Sequence, residues 1–292
     1  DPKKRIYFGY LGSAVVIAFA WLVFSKGMSL KQAFLKVFDA KIFFSRSSKI
    51  DAKVYMINRV FTFFVSPLLI TQLVVATFIF NQLLTVEWLT PAATTSLHAS
   101  VIVFSFTLCV FLLDDFTKYI VHRWMHRFPI LWALHKVHHT AEQLTPMTIF
   151  RTHPIEGIVF SVRSAFTQGV LISTFFYFFG SSVSLMTVLG ANIIVFAFNV
   201  CGSNLRHSHI GIRYWQWLEY ILISPAQHQL HHSVAEEHFD KNFGATLALW
   251  DWIFGSLHHS VDTDSLVLGV KDQYEDRYQS LFGVYLLPIL SF

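Results

Sequence analysis

The sequence predicts an all-α protein, a bundle of about five membrane spans with a helical, histidine-rich cap on one side. Three observations predict it. The first is composition: of 292 residues, 54% are hydrophobic and 14% charged, against about 25% charged in soluble domains. The second is that the apolar surplus falls in long uncharged runs, each near the roughly 20 residues a span needs. The third is the placement of the 15 His, which gather where those runs end. This balance excludes an ordinary water-soluble globule and a disordered chain. The two cysteines, Cys109 and Cys201, lie inside apolar runs. A disulfide scaffold and a cysteine-built zinc or iron–sulfur site are excluded with them.

The runs follow in order. Residues 6–24 carry no charge, and Lys3, Lys4 and Arg5 precede them. Their length exceeds a signal-peptide core and no A-x-A site follows, so they read as a retained helix. Residues 60–86 form the second run, with Pro67 near its start, where a membrane helix tolerates a kink. The third helix starts after Pro91 and Thr94-Thr95-Ser96, passes Asp114 and Asp115, and reaches His126. Residues 164–205 are uncharged for 42 positions, about twice one span, and Gly180-Ser181-Ser182 breaks them into a hairpin. The apolar tail 281–292 is too short to cross and packs on the protein or at the interface. With no repeat or linker, residues 1–292 form a single integral-membrane domain. It comprises N-terminal spans (1–96), a core (97–260) and a tail (261–292).

Charge sets the orientation. If the third helix ends on side one, residues 25–59 and 206 onward lie there too. Residues 25–59 carry eight Lys/Arg, 118–151 five and 206–292 five, while the opposite loops 87–97 and 180–182 carry none. The positive-inside rule then makes side one the cytoplasm, of the endoplasmic reticulum or of a bacterial inner membrane, with only Lys3, Lys4 and Arg5 dissenting. The net charge of +4 needs no nucleic acid, and no nucleic-acid motif occurs.

By this topology 14 of the 15 His lie on side one, all but His98. His122 and His126 form H-x-x-x-H. His135, His138 and His139 form H-x-x-H-H, and so do His228, His231 and His232. Positions i, i+3 and i+4 share one helix face, and neutral imidazole is a ligand for iron, copper, nickel and zinc. Eight motif His are too many for one tetrahedral zinc, so two metals with about four His each is the economical solution. His207 directly follows the returning fifth span and joins the ligand candidates. His209 and His153 are candidates either as ligands or as hydrogen-bonding groups behind them. Asp115 lies two turns before His122 on the same face with Tyr119 between, placed to accept the free N–H of a ligating His. Glu142, three residues after His139, is a further such candidate. Asp114 reads as a helix-end carboxylate reaching for water. His238, His258 and His259 read as polar residues of a cytoplasmic segment.

These residues carry a resemblance. The block Asp115-Phe116-Thr117-Lys118-Tyr119-Ile120-Val121-His122-Arg123-Trp124-Met125-His126 continues into Pro129-Ile130-Leu131-Trp132-Ala133-Leu134-His135-Lys136-Val137-His138-His139. It resembles the core of the fatty acid hydroxylase superfamily, which includes the sterol desaturases. Phe150–Glu156 fits the R-x-H-P element of that family, Asn204–Ser208 its histidine after the last span, and His228–His232 its last triplet. Asp240–Gly244 and Leu249–Gly255 match its C-terminal signature, so the resemblance runs from 115 to 255. It implies a membrane di-iron enzyme that uses O2 and two electrons to hydroxylate or desaturate a sterol, fatty-acyl chain, sphingolipid or similar lipid. The implied ligands are His122, His126, His135, His138, His139, His207, His228, His231 and His232. Some relatives add a His four residues from the middle one. Here Ser203 and Gly211 hold those positions, which leaves His209 and His153 as candidates for a tenth ligand.

The chemistry agrees, since attack on an unactivated C–H bond needs a metal or cofactor. Zinc can replace iron in isolated protein, because affinity does not select iron. The lipid is expected to enter sideways, between helices. No flavin, haem or dinucleotide module is visible, so electrons are expected from a separate cytochrome b5- or ferredoxin-type system. The basic 25–59 segment can dock an acidic donor or anionic lipid heads. Hydroxylation is favoured over desaturation. A membrane zinc transporter or metal store is the rival, but transporters place ligands near the midplane, whereas these follow helix ends. A membrane haem protein would need His deep within paired spans.

Overall fold

The computed structural model describes residues 7–89, 97–180, 192–271 and 275–291. Among them all regular structure is helical, apart from two isolated bridges, Leu222–Leu247 and Ser233–Leu268. Four stretches are long and apolar enough to cross a membrane: Phe8–Ser25, Arg46–Leu84, Ala99–Arg127 and Pro154–Phe179. The first is α1 (Phe8–Ala20), extended by a π turn to Ser25. Two short helices, α2 (Leu30–Val37) and α3 (Ala40–Phe43), lead from it into α4 (Arg46–Val65). The second apolar run is broken at Pro67 rather than kinked. Ser66–Leu68 is a single 3-10 turn, and α5 (Gln72–Leu84) restarts behind Thr71, whose side chain accepts from Val74 N–H.

Helix α6 (Ala99–Arg127) starts two residues inside the predicted region, with His98 as its N-cap. The one His off side one therefore has a capping role. At 29 residues α6 rises about 43 Å, some 13 Å more than the hydrocarbon core is thick. The surplus is long enough to hold His122 and His126, near the C-terminal end of the helix. A corner at Phe128, followed by Pro129 at the first helical position, starts α7 (Pro129–His139), an arrangement proline favours. Helix α8 (Pro154–Phe179) then runs to Gly180, which has φ of +55°. The hairpin expected at 180–182 falls mostly on residues outside the described ones. Ser181 and Ser182 lie outside the described residues, as do Lys3, Lys4, Arg5 and Pro91. Of the predicted fifth span, the described part is α9 (Ile193–Val200).

Close packing joins the spans. A Cβ on Gly169 of α8 would stand 2.6 Å from Val75 Cγ1 of α5, so glycine is what lets these helices approach. Ile102 and Phe106 of α6 pack with Ile172 and Phe175 of α8. Asp114 does not reach for water. Its carboxylate sits between Lys118, 2.6 Å away, and Arg163 of α8, 2.9 Å away. Pairing removes the cost that an isolated charge would carry at this depth.

Two further helices complete the cap, α10 (Pro225–His231) and α11 (Leu249–Ile253), and the tail forms α12 (Leu281–Leu290). Val284 and Leu287 of α12 pack on Ile50 and Val54 of α4 and on Val137 of α7. The tail therefore packs on the protein. Fully buried Arg151 locks this corner. It donates to Asp51 Oδ1 (3.1 Å), to the carbonyls of Val137 and Thr140 (both 3.2 Å), and to that of Tyr278 (3.0 Å). One guanidinium thus holds α4, the C-terminal end of α7 and the segment leading into α12.

Candidate metal centre

The eight motif His and His207 converge in two groups. His122, His126, His135, His139 and His231 form one, and His138, His207, His228 and His232 the other. Within each group the candidate ligand atoms lie within 4.8 Å of one another. The division follows helix geometry. Residues i and i+4 are separated by about 40° around the axis, while i+3 points about 60° the other way. So the i, i+4 pairs His122/His126, His135/His139 and His228/His232 each stay together. The i+3 members, His138 and His231, go to the opposite group. Each H-x-x-H-H triplet therefore contributes to both. His207 is brought in by the 3-10 turn Ser203–His207, which opens at Gly202 with φ of +93°. Behind that turn, Ala14, Ala18 and Leu22 of the first helix pack on Leu205 and Ile210.

Hydrogen bonds behind the rings fix which nitrogen faces inward. His122 Nδ1 donates to Phe243 O (2.8 Å), His231 Nδ1 to Lys241 O (2.8 Å) and His135 Nδ1 to Glu156 Oε1 (2.9 Å). These partners assign the Nδ1–H tautomer to all three, which leaves a lone pair on each Nε2. Yet His122 Nε2 stands 3.1 Å from His135 Nε2 and 3.0 Å from His231 Nε2. Facing lone pairs at that distance repel unless a cation lies between them. Two ligands at right angles, each about 2.1 Å from an ion, would be about 3.0 Å apart. In the second group His207 Nε2 is 3.1 Å from His138 Nε2 and 2.9 Å from His228 Nε2. His126 Nε2, His139 Nε2 and both ring nitrogens of His232 are buried without a hydrogen-bond partner. Buried polar atoms are rarely left so. The residues fit a metal in each group.

Burial favours the neutral form of five of these rings. Burial first, and then neighbouring imidazoles, hold His138, His139, His228 and His232 well below the ordinary histidine range. Burial pushes His231 down to about 3. A neutral imidazole is the form that ligates.

The carbonyls of Lys241 and Phe243 are themselves held in place. Asp251 accepts from Phe243 N–H (2.8 Å) and Ser256 Oγ–H (2.6 Å) on one oxygen and from Gly244 N–H (2.7 Å) on the other. Burial nevertheless pushes its carboxyl up to about 6. Asp240 and Asn242 adopt φ of +59° and +56°, a conformation Asp and Asn tolerate better than most residues. Sequence reasoning missed this outer layer, because main-chain carbonyls carry no residue signature. It also passed over Glu156, whose ring partner lies 21 positions away.

The remaining candidates lie elsewhere. His153 caps α8, accepting from Ile155 N–H (3.3 Å) and donating to Tyr285 O (3.2 Å), and His209 donates to Lys36 O (2.6 Å). Neither belongs to the two groups. Asp115 accepts from Leu247 N–H and Trp250 Nε1–H (both 3.0 Å), which ties α6 to the start of α11. Tyr119 bonds Ser256 Oγ (3.0 Å) and Arg123 (2.7 Å). Glu142 donates its N–H to Ser47 Oγ (3.2 Å). Asp115, Tyr119 and Glu142 hydrogen-bond to none of the nine rings. His238 and His258 pack ring to ring, 5.3 Å between centroids.

A cavity of about 520 Å3 borders the five-histidine group at His126, His139 and His231. Trp132 and Phe239 also line it, with Lys136, Glu236 and Lys271.

Comparison with known proteins gives the same region. Residues 107–256 match the family model described as fatty acid hydroxylase. Human alkylglycerol monooxygenase is 28% identical over 60% of this chain and 36% of its own length. Ornithine lipid hydroxylase OlsE of Rhizobium tropici is 28% identical over 53% of this chain and 43% of its own. The Delta(7)-sterol 5(6)-desaturase of Candida dubliniensis is 26% identical over 59% and 38%. The chain thus spans well under half the length of the curated relatives it matches. No solved structure matches.

Proposed function

The chain belongs to the fatty acid hydroxylase family, and on that footing we propose that it is a membrane lipid oxygenase. It uses O2 and two electrons to oxidise an unactivated C–H bond of a lipid, by hydroxylation in preference to desaturation. One observation carries the reading: nine His, seven of them buried and two half-buried, brought together in groups of five and four. That number and that grouping suit two metal ions rather than one. His122, His126, His135, His139 and His231 would hold one, and His138, His207, His228 and His232 the other. Iron is the metal proposed, and it would supply the oxidising power that no acid–base side chain has.

The chain's own residues do the rest. Phe243 O, Lys241 O and Glu156 orient His122, His231 and His135. Seven of the nine rings are buried, which limits water behind them. The cavity at His126, His139 and His231 is the proposed place for the reacting part of the lipid, with Trp132 and Phe239 as apolar walls. Lys136, Lys271 and Glu236 give it a charged margin suited to a polar headgroup.

Electrons come, on this reading, from a separate cytochrome b5- or ferredoxin-type donor on the cytoplasmic side, where the His groups lie. Part of the basic segment is already engaged. Lys26 and Lys36 pair with Asp262 and Asp264 at 2.8–3.3 Å. Lys31, Lys41, Lys49 and Lys53 stay exposed and are the docking candidates. The test is the lipid mass profile of cells with and without the protein. A gain of one oxygen supports hydroxylation, loss of two hydrogens supports desaturation, and no change overturns the reading.

A further inference from the structure

A groove with a polar head runs down the face where α4 and α5 meet α8. It consists of three successive hollows. The first, of about 240 Å3, lies between α4 and the start of α8, with Tyr55, Arg59 and Ser161 in its wall. The second, of about 480 Å3, shares Ser161 and adds Gln72 and Leu73. The third, of about 220 Å3, shares Leu73 and ends at Phe80 and Phe176. None of the nine His lines any of the three. The character of the wall changes along the groove. Arg59 is the last charged residue before the uncharged run 60–86. Among the described residues it is also the one charged side chain in the three walls. Its guanidinium and the Tyr55 hydroxyl have no ion pair or hydrogen bond among the described residues. The far hollow is lined by Leu73, Ala76, Phe80, Ile172 and Phe176, with only Thr77 and Ser173 polar. From Ser161 to Ser173 helix α8 rises about 18 Å, against about 15 Å for half of a hydrocarbon core. The groove is therefore as long as the acyl chain of one leaflet.

We propose that this groove seats one anionic glycerophospholipid as a resident lipid, with its phosphate at Arg59 and one acyl chain along α5 and α8. The inference rests on these helices crossing a membrane and not on the metal centre. Charge complementarity selects the headgroup. A guanidinium pairs with a phosphate through two parallel N–H donors, and Tyr55 adds an O–H. No residue in the three walls is acidic, so none repels the phosphate. Depth places the rest. An arginine at the edge of an uncharged run holds its head at the interface. Gln72 lies beyond it, where its amide can donate to an ester carbonyl. On the orientation proposed above, the head of the groove faces the cytoplasmic leaflet, where anionic lipids gather. A lipid seated there would brace α8, whose first turn holds Glu156 against His135.

The experiment is binding of phosphatidylglycerol and of phosphatidylcholine with identical acyl chains to the purified full-length chain in detergent, read by native mass spectrometry. The chains compared are wild type, Arg59→Gln, Arg59→Lys and Thr77→Trp. Thr77 is exposed and lines the far hollow, so tryptophan there fills the acyl seat without touching Arg59. Wild type should hold one phosphatidylglycerol about fivefold more tightly than phosphatidylcholine, the worth of one cation at a membrane surface. Arg59→Gln should erase that preference, and Arg59→Lys should keep most of it. Thr77→Trp should weaken both lipids alike. Equal binding of the two lipids by wild type, a preference that survives in Arg59→Gln, or unchanged binding in Thr77→Trp would overturn the proposal. Inorganic phosphate that displaces phosphatidylglycerol at equal concentration would do so too, by showing an anion site rather than a lipid seat. Should Arg59→Gln not fold, the preference of wild type and the loss in Thr77→Trp still decide. No turnover is read, so the result is independent of the metal centre and of the function proposed for it.

Discussion

Replacing Arg151 by Met should destabilise the protein more than most single substitutions can. Arg151 and Asp51 are both fully buried, 3.1 Å apart. Methionine fills much of the volume but carries no charge, so Asp51 keeps only Thr148 Oγ, 2.6 Å away. Removing one partner of a buried pair costs about 3–5 kcal/mol, because the remaining charge is left uncompensated. The carbonyls of Val137, Thr140 and Tyr278 lose a donor as well, at about 1 kcal/mol or more each where no other donor reaches them. The low end of the pair cost alone lowers Tm by roughly 6–12 °C in a chain of this size. The assay is thermal unfolding in detergent followed by tryptophan fluorescence. Asp51→Asn in the Arg151→Met background supplies the second arm. If the penalty is the stranded charge, the double variant recovers a large part of it and the two sites are non-additive. A loss below about 1 kcal/mol, or a double variant as unstable as the sum of the singles, would refute the argument.

Other outcomes follow from the site and the topology. His135→Ala and His231→Ala should each abolish turnover while the spans stay inserted, checked by lipid oxidation alongside membrane fractionation. Substantial residual activity would remove that residue from the ligand set. Iron retained after dialysis should be constant above about pH 6.5 and fall below it. With His231 held at about 3 against about 6.5 unfolded, the folded state binds fewer protons in that window. Stability is therefore full above the unfolded value and drains as pH falls towards the folded one. Retention unchanged at pH 4 would contradict this. Cysteines introduced at positions 45 and 260 should be labelled from the same side of the membrane, and labelling from opposite sides would overturn the orientation.

The spans and the nine His could be read from sequence for one reason. Both are local patterns, a run of about 20 apolar residues or a spacing of three and four, that physics ties to a helix. What escaped is what acts across the chain. The spacing of His135, His138 and His139 says that they share a face, but not that the face straddles two groups. That depends on where α10 brings His228, His231 and His232. Glu156 lay in plain view within a recognised element, yet its partner became visible only in three dimensions. The expectation for Asp115 went astray because a main-chain N–H and an indole N–H compete for a carboxylate as well as any imidazole does. Leu247 N–H and Trp250 Nε1–H both donate to it. Pro67 is a similar case. Its ring forbids one helical hydrogen bond, and whether the helix bends or stops depends on what receives the freed carbonyl.

The splitting of each triplet has a consequence for how the centre can vary. Helix α7 gives two rings to one group and one to the other, and the triplet His228/His231/His232 does the reverse. Turning either segment about its axis to favour one group drags the other out of place. The gap between the groups is thus written in the pitch of the helix, a fixed ruler of 1.5 Å and 100° per residue. Side-chain adjustment can trim that gap only slightly. The cavity walls and the tail stand outside that constraint, while the interval between the two histidine groups follows the backbone.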